Sequence, residues 1–253
     1  MQKQQCGKWI WISCLEEDSY AEFLMPIFGE KGKKITLAVS SEGNYAAYID
    51  EKLVLFSQSG AYPKAPFYDE CAISRYLADG KEHTLRILAW HLGVDSSCYI
   101  SAEPGLWFEV RADGRAIFSS GENVLCRKNT AFKNGYKKAI TRQLGLSYYY
   151  DSTVEQAQTF KNASLAAPRP QPKRRPISPL RLLPLRPAVS CEKTETGTLL
   201  FDLGEERCGF LSLDLVSEEN QLLTVSYGEH LVDGHVPRLI GGRDFSVEYV
   251  AKK

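Results

Sequence analysis

No stretch of this sequence is long and apolar enough to cross a bilayer as a helix. The apolar segment Trp9 to Leu15 runs at once into Glu16, Glu17 and Asp18, and Met1 to Gly7 lacks the apolar core of a signal peptide. Lys3, Gln4 and Gln5 stand before Cys6, where a lipoprotein anchor requires apolar residues. No membrane partner is expected, and the chain is expected to be cytoplasmic. An excess of either charge is missing too. The 31 basic residues equal the 31 acidic ones, so no whole-chain field draws the protein to nucleic acid or anionic lipid. The seven cysteines (Cys6, Cys14, Cys71, Cys98, Cys126, Cys191 and Cys208) are odd in number, scattered and without a CxxC pair, which argues against a disulfide framework and a zinc site. They read as reduced thiols. Among the four histidines only His230 and His235 are close in sequence, so no metal set is expected, and no cofactor. Long amphipathic helices are absent.

What is present is the pattern of an antiparallel sandwich. Most of residues 8 to 126 reads as short strands punctuated by turn signals roughly every ten residues. Lys34 to Ser40, Tyr45 to Ile49 and Leu53 to Phe56, separated by Glu42-Gly43-Asn44 and Asp50-Glu51-Lys52, predict a three-stranded meander. A short helical turn is expected over Ile73 to Leu77. Leu85 to Leu92 places Leu85, Ile87 and Ala89 on one face and Leu88, Trp90 and Leu92 on the other, which predicts a central strand covered on both sides. Leu106 to Val110 and Ala116 to Phe118 predict a hairpin whose Asp113-Gly114 turn supplies positive φ. A short helix is expected over Thr153 to Phe160.

The stretch from Pro168 to Pro187 holds Pro168, Pro170, Pro172, Pro176, Pro179, Pro184 and Pro187, interleaved with Arg169, Lys173, Arg174, Arg175, Arg181 and Arg186. It predicts a stiff, extended, partly docked linker. Its charges alternate with proline and leucine and have no aromatic stacking platform, so nucleic acid is not the expected partner. Thr198 to Leu203, Gly209 to Leu215, Gln221 to Tyr227 and Phe245 to Val250 predict four further strands. The fold class is thus all-β, with two antiparallel sandwich domains: residues 1–160, a linker over 161–190, and 191–253. The second domain is expected to be cut off, since Lys253 falls just as a strand finishes.

Phe201-Asp202-Leu203-Gly204, Cys208-Gly209-Phe210, Tyr227-Gly228-Glu229-His230-Leu231, Asp233-Gly234-His235-Val236 and Arg243-Asp244-Phe245 together resemble a segment of bacterial α-L-rhamnosidases. Trp9-Ile10-Trp11, the Tyr45 to Leu53 hairpin, Tyr68-Asp69, Leu77-Ala78-Asp79-Gly80 and the connector Arg175-Pro176-Ile177 to Leu180 are similar to the same family's N-terminal jelly-roll, of galactose-binding type, and its linker. The chain departs from that pattern at Asp50-Glu51-Lys52, where Asn-Gly is usual, and at His83, where Asn is common. The resemblance implies a non-catalytic region of a glycoside hydrolase acting on rhamnose-containing glycans. In the family the two carboxylates of an inverting hydrolysis lie in a separate (α/α)₆ barrel. That barrel is the partner the resemblance implies, and a surface left bare of it is expected to favour self-association.

No residue of this chain reads as catalytic. Glu229, Asp233 and Asp244 could be weighed as a substitute pair, but Glu229 ends a strand and Asp233-Gly234 reads as a turn, and no Gly-x-Ser-x-Gly elbow occurs. Sugar recognition needs exposed rings for the apolar sugar face and polar groups for the hydroxyls. Tyr62, Tyr68, Asp69, Trp90, His91 and Trp107 are the candidates, although Trp90 and Trp107 sit in apolar runs that suit a core. Related modules bind rhamnose with calcium, but no ligand cluster for it stands out here. The alternatives are a free-standing carbohydrate-binding module and a rhamnosidase fragment that retains hydrolase activity.

Overall fold

The computed structural model describes residues 5–57, 62–133, 139–141 and 143–252. Met1, Lys3, Gln4 and Lys253, on which the reading of the two ends leans, lie outside them. The architecture is all-β.

Ten strands build the first unit: β1 (Ile10–Trp11), β2 (Ser19–Phe28), β3 (Ile35–Ser41), β4 (Asn44–Ile49), β5 (Lys52–Ser57), β6 (Phe67–Ala72), β7 (Glu82–His91), β8 (Leu106–Ala112), β9 (Arg115–Ser119) and β10 (Leu125–Lys128). One sheet runs β1-β8-β3-β6, with β9 folded onto β8; the other runs β10-β2-β7-β4-β5. Successive side chains on a strand point to opposite faces. Ile35, Leu37 and Val39 of β3 and Leu106, Phe108 and Val110 of β8 therefore meet Phe23 and Ile27 of β2 and Leu85, Ile87 and Ala89 of β7 in one sealed core between the sheets. β7 is central, as its composition implied. Pro26 is tolerated within β2 because β10 pairs only Ala21 to Leu24, leaving that side of Pro26 without a ladder.

The strands expected around residues 34 to 56 all form, but not as a meander. β3 pairs β6 and β8 in one sheet, whereas β4 and β5 form a hairpin in the other. The chain crosses between the sheets at Glu42-Gly43. A Cβ on Gly43 would fall 1.9 Å from the carbonyl oxygen of Trp90, so the crossing requires glycine there. The Asp113-Gly114 hairpin has positive φ at both residues, 47° and 78°. The short helical turn is a 3₁₀ turn over Ser74–Tyr76.

The helix expected over Thr153 to Phe160 does not form. The Asp151 carboxylate accepts hydrogen bonds from the Thr153 amide (3.0 Å) and hydroxyl (2.6 Å), a local turn that competes with helical bonding. The linker's first half is not free. Lys173–Arg174 adds a parallel rung to β6, while Lys161–Asn162 pairs β10 and Ser164–Leu165 pairs β1.

Beyond it, Ser190–Lys193 pairs Leu199–Asp202, and Leu239–Ile240 pairs Arg243–Asp244. Leu222–Ser226 pairs Ser246–Val250, whose other edge takes Tyr149–Asp151 in parallel. Gly209 to Leu215, expected as a strand, is unpaired coil. Its Phe210, Leu211, Leu213 and Leu215 remain exposed, because an alternating pattern supplies faces but no hydrogen-bonding neighbour. Among the described residues no helix is long and apolar enough to cross a membrane.

Candidate functional site

Two places in the sandwich hold the residues that bear on a site. The first is the outer face of the β8-β3-β6 sheet. Alternation turns Trp107, Glu109 and Arg111 outward on β8 and Tyr68 and Glu70 outward on β6. The chain's N-terminal arm and the docked linker then cover them. Glu109, 1% exposed, accepts the amides of Cys6 (2.6 Å) and Gly7 (3.0 Å) and pairs with Arg111 (2.8 Å). Arg111 also donates to the Tyr68 hydroxyl at 3.1 Å and lies over the Tyr68 ring. Trp107 is fully buried against Tyr68, its Nε1 donating to the Gly7 carbonyl at 3.0 Å. Across this floor the linker is strapped down. Arg169 lies over Trp9 and donates to the Glu103 carbonyl (2.6 Å), Trp9 donates to the Pro170 carbonyl (3.2 Å), and Arg175 Nε meets Asp69 at 2.6 Å. Asp69 also accepts the Tyr45 hydroxyl at 3.1 Å. Burial, then the nearby Asp69 charge, raises the Tyr45 phenol well above its usual range.

The second place is the end of the sandwich where β3 crosses to β4 and β7 ends. Glu42, 1% exposed, accepts His91 Nδ1 at 2.7 Å, the amide of Ala102 at 3.2 Å and the Tyr99 hydroxyl. Burial, then the bond to Glu42, pushes the Tyr99 phenol upward. Beside it Trp90 donates to Asp18 at 2.8 Å and stacks on Tyr20, which stacks on Phe132 at 4.0 Å. Phe132 meets Tyr150 at 4.7 Å, and Tyr150 stacks on Tyr249. A column of rings thus links the sandwich to the C-terminal sheet.

Of the six residues put forward for sugar contact, Tyr68 and Trp107 come together in the covered face, and Asp69, turned to the inner side where Tyr45 donates to it, is reached by Arg175 at the edge of β6. Trp90 and His91 lie at the sandwich end, His91 facing inward and the half-buried Trp90 outward. Tyr62 stands apart and is 49% exposed. Two rings that were not put forward for sugar contact are also exposed: Tyr148 and Tyr227 of the C-terminal sheet region, at 43% and 49%. Only the bare run Tyr148-Tyr149-Tyr150 hinted at them.

The carboxylates weighed for catalysis are not paired with one another. Asp233 (φ 49°) and Gly234 (φ 76°) turn the chain between Val232 and His235, Glu229 is exposed, and Asp244 accepts Arg238 at 3.0 Å. An inverting hydrolysis needs two carboxyl groups facing across a bond, one of them protonated. Among the described residues no group of three or more His, Cys, Asp or Glu side chains is arranged to hold a metal ion.

The fold thus defines an antiparallel β-sandwich with a docked linker and a smaller strand assembly. Solved α-L-rhamnosidases share it. The enzyme of Aspergillus terreus matches with a TM-score of 0.71 and 13% identity, covering 97% of this chain and 31% of its own. That of Streptomyces avermitilis, solved with L-rhamnose, gives 0.69 and 14% over 93% and 25%. That of Dictyoglumus thermophilum gives 0.66 and 14% over 97% and 31%. The chain spans less than a third of the length of these enzymes, and at such identities the likeness is one of fold. No protein-family model matches the chain, and no curated protein matches it in sequence.

Proposed function

We propose that this chain is a non-catalytic, supporting β-sandwich region of an α-L-rhamnosidase-like glycoside hydrolase, acting in the cytoplasm on rhamnose-containing glycans. The observation that carries the reading is the coverage: nearly all of this chain, and under a third of each enzyme, falls within the shared fold. A supporting role agrees with the chemistry. The buried carboxylates Glu22, Asp69 and Glu109 are engaged by Arg127, Arg175 and Arg111 in ion pairs within the sandwich rather than facing one another across a cleft. In this reading residues 1–160 form the jelly-roll domain, 161–190 the linker, and 191–253 part of a second sandwich. In the same reading the exposed linker leucines Leu182, Leu183 and Leu185 are the apolar surface that packs on an (α/α)₆ catalytic barrel.

The test has two arms on the purified chain. Incubation with an aryl α-L-rhamnoside is expected to give no release above the uncatalysed rate, and turnover abolished by a carboxylate substitution refutes the non-catalytic reading. Light scattering with an apolar dye is expected to report self-association and dye binding. A monodisperse, dye-silent monomer refutes the docking surface.

A second reading, a carbohydrate-binding module, is favoured by the half-exposed rings of Tyr148 and Tyr227. It requires saturable binding of L-rhamnose or a rhamnoside that weakens when either ring is removed.

A further inference from the structure

Residues 166 to 172 cross the outer face of the β1-β8-β3-β6 sheet from one edge to the other. Before them Ser164–Leu165 is paired to β1, and after them Lys173–Arg174 is paired to β6. Ala166 packs on the outer-face cluster of Trp9, Ala38, Tyr68 and Trp107. The two anchors stand in one row. Leu165 lies opposite Ile10, Ile10 opposite Leu106 and Leu106 opposite Ser41, while Phe67, which faces Lys173, lies two residues along from the Asp69 that pairs Val39. Five strand spacings separate the anchors, about 24 Å. The eight residue steps from Leu165 to Lys173 reach about 26–29 Å at full extension. The crossing segment is therefore nearly taut.

Its composition denies it a backbone ladder. Pro168, Pro170 and Pro172 carry no N–H, and each anchor is only two residues long. The chain's own N-terminal arm, Gln5 to Trp9, holds the middle. Trp9 Nε1 donates to the Pro170 carbonyl (3.2 Å), Gln171 Nε2 to the Gly7 carbonyl (3.2 Å) and Gln5 Nε2 to the Pro172 carbonyl (2.9 Å). Alternate arm residues thus meet three successive linker residues.

The arm is held from below as well. Glu109 Oε1 accepts the amides of Cys6 (2.6 Å) and Gly7 (3.0 Å), and Trp107 Nε1 donates to the Gly7 carbonyl (3.0 Å). That carbonyl therefore takes one donor from the sheet and one from the linker. A Cβ at Gly7 would fall 2.6 Å from Trp107 Nε1 and 3.0 Å from the Phe108 carbonyl oxygen, so only glycine lets the backbone lie this close. With the arm lifted, the middle of the linker loses its partners at Pro170, Gln171 and Pro172. With the linker lifted, the arm loses its own at Gln5, Gly7 and Trp9.

We propose that Gln5 to Gly7 is a latch. The groove between Trp107 and the crossing linker is a binding site for this glycine-bearing segment of the chain itself, and arm and linker dock and release as one unit. Each serves as the other's ligand, so loosening one loosens the other by the same factor. The latch fixes where the chain leaves the sheet at Arg175 on its way to the smaller strand assembly. Its release frees that exit without unfolding the sandwich.

Native-state hydrogen exchange on the full chain tests it, read at Cys6 and Gly7 for the arm, at Lys173 and Arg175 for the linker, and along β7 for the whole sandwich. The Lys173 and Arg175 amides donate to the Pro66 and Tyr68 carbonyls, each at 2.9 Å. In the wild-type chain the arm and linker amides should share one opening constant, larger than that of β7. Gly7→Ala, a change confined to the arm, should raise opening at Lys173 and Arg175 about tenfold, and Arg175→Met, confined to the linker, should raise it at Cys6 and Gly7. Gln171→Ala removes an exposed side chain and leaves the floor intact. It should loosen both sets together, and it decides the matter if Gly7→Ala does not fold. Linker amides that keep their wild-type rates when the arm is displaced, or arm amides that keep theirs in Arg175→Met, overturn the proposal. So does exchange of all these amides at the rate of β7, since the arm and linker then open only with the whole sandwich.

Discussion

Replacing Arg175 by Met tests whether the proline-rich segment is held on the sandwich or merely lies near it. Arg175 Nε stands 2.6 Å from Asp69, whose side chain is 7% exposed, while the arginine side chain is 21% exposed. At that distance, with an effective dielectric constant of about 20, the gross attraction is roughly 6 kcal/mol. Most of it is offset by desolvation, and breaking a buried pair costs about 3–5 kcal/mol because the remaining charge is stranded. Tyr45 still donates to Asp69, and the arginine is partly solvated, so the loss should fall at the lower end, about 2–3 kcal/mol. Urea unfolding measures it. Asp69→Asn added to Arg175→Met should recover part of the loss, since no charge is then left unpaired. Trypsin supplies an independent reading. Arg169, Arg175 and Arg186 precede proline and resist cleavage, so the cuttable sites here are Lys173, Arg174 and Arg181. Lys173–Arg174 is hydrogen-bonded to β6, whereas Arg181 lies in exposed coil. The wild-type chain should be cut first after Arg181, and the variant also after Lys173 and Arg174. Equal stability with an unchanged cleavage pattern would refute the strap.

Three more outcomes follow from the same geometry. His83 bonds Asp79 at 2.8 Å and also Asp50, and those two bonds raise its pKa while lowering both carboxyls. The histidine's contribution is therefore full below its unfolded value of about 6.5 and fades as pH rises through its higher folded value. The carboxylates contribute above about 3.9 and fade as pH falls. The stability gap between wild type and His83→Asn should thus be widest near pH 5–6 and shrink above neutrality, and a pH-independent gap would contradict it. Trp107→Ala should cost about 3–5 kcal/mol by urea unfolding, whereas Trp107→Phe should cost far less, because Gln171 also donates to the Gly7 carbonyl at 3.2 Å. Phe132→Ala breaks the ring column at its midpoint and should split thermal unfolding into two transitions by calorimetry. A single unchanged transition would count against coupling through that ring.

The sandwich was legible where side-chain period alone decides structure. Alternation in Ile35 to Val39 and Leu85 to Ala89, and the Asp113-Gly114 turn, specify strands and a hairpin locally, and these formed. Which sheet a strand joins is a long-range choice that alternation does not encode. The clue for β3 and β4 was Glu42-Gly43: a turn signal in sequence, and in space a crossing that needs a missing Cβ beside Trp90. Gly209 to Leu215 failed for the converse reason, with strand-like faces and no neighbouring edge.

The candidate sugar residues were chosen as rings for an apolar sugar face and polar groups for its hydroxyls, and the fold puts Tyr68, Asp69 and Trp107 near one another and Trp90-His91 at the end of the sandwich. What the sequence could not show is that residues a hundred positions away return to cover it. Tyr68, Asp69 and Trp107 are enclosed by the N-terminal arm and by Arg169 to Arg175, so a solvent-facing cluster in sequence becomes an internal joint in space. The basic residues of the linker explain themselves in the same way: Arg169 and Arg175 are matched to Trp9 and Asp69, and Arg174 to Glu70 at 3.4 Å. Three of the linker's cations up to Arg175 are thus matched within the chain. Past that point Arg186 pairs with Glu205 at 3.3 Å, and Arg181 stands among exposed leucines. The covered sheet face, by contrast, is closed by the chain's own arm and linker.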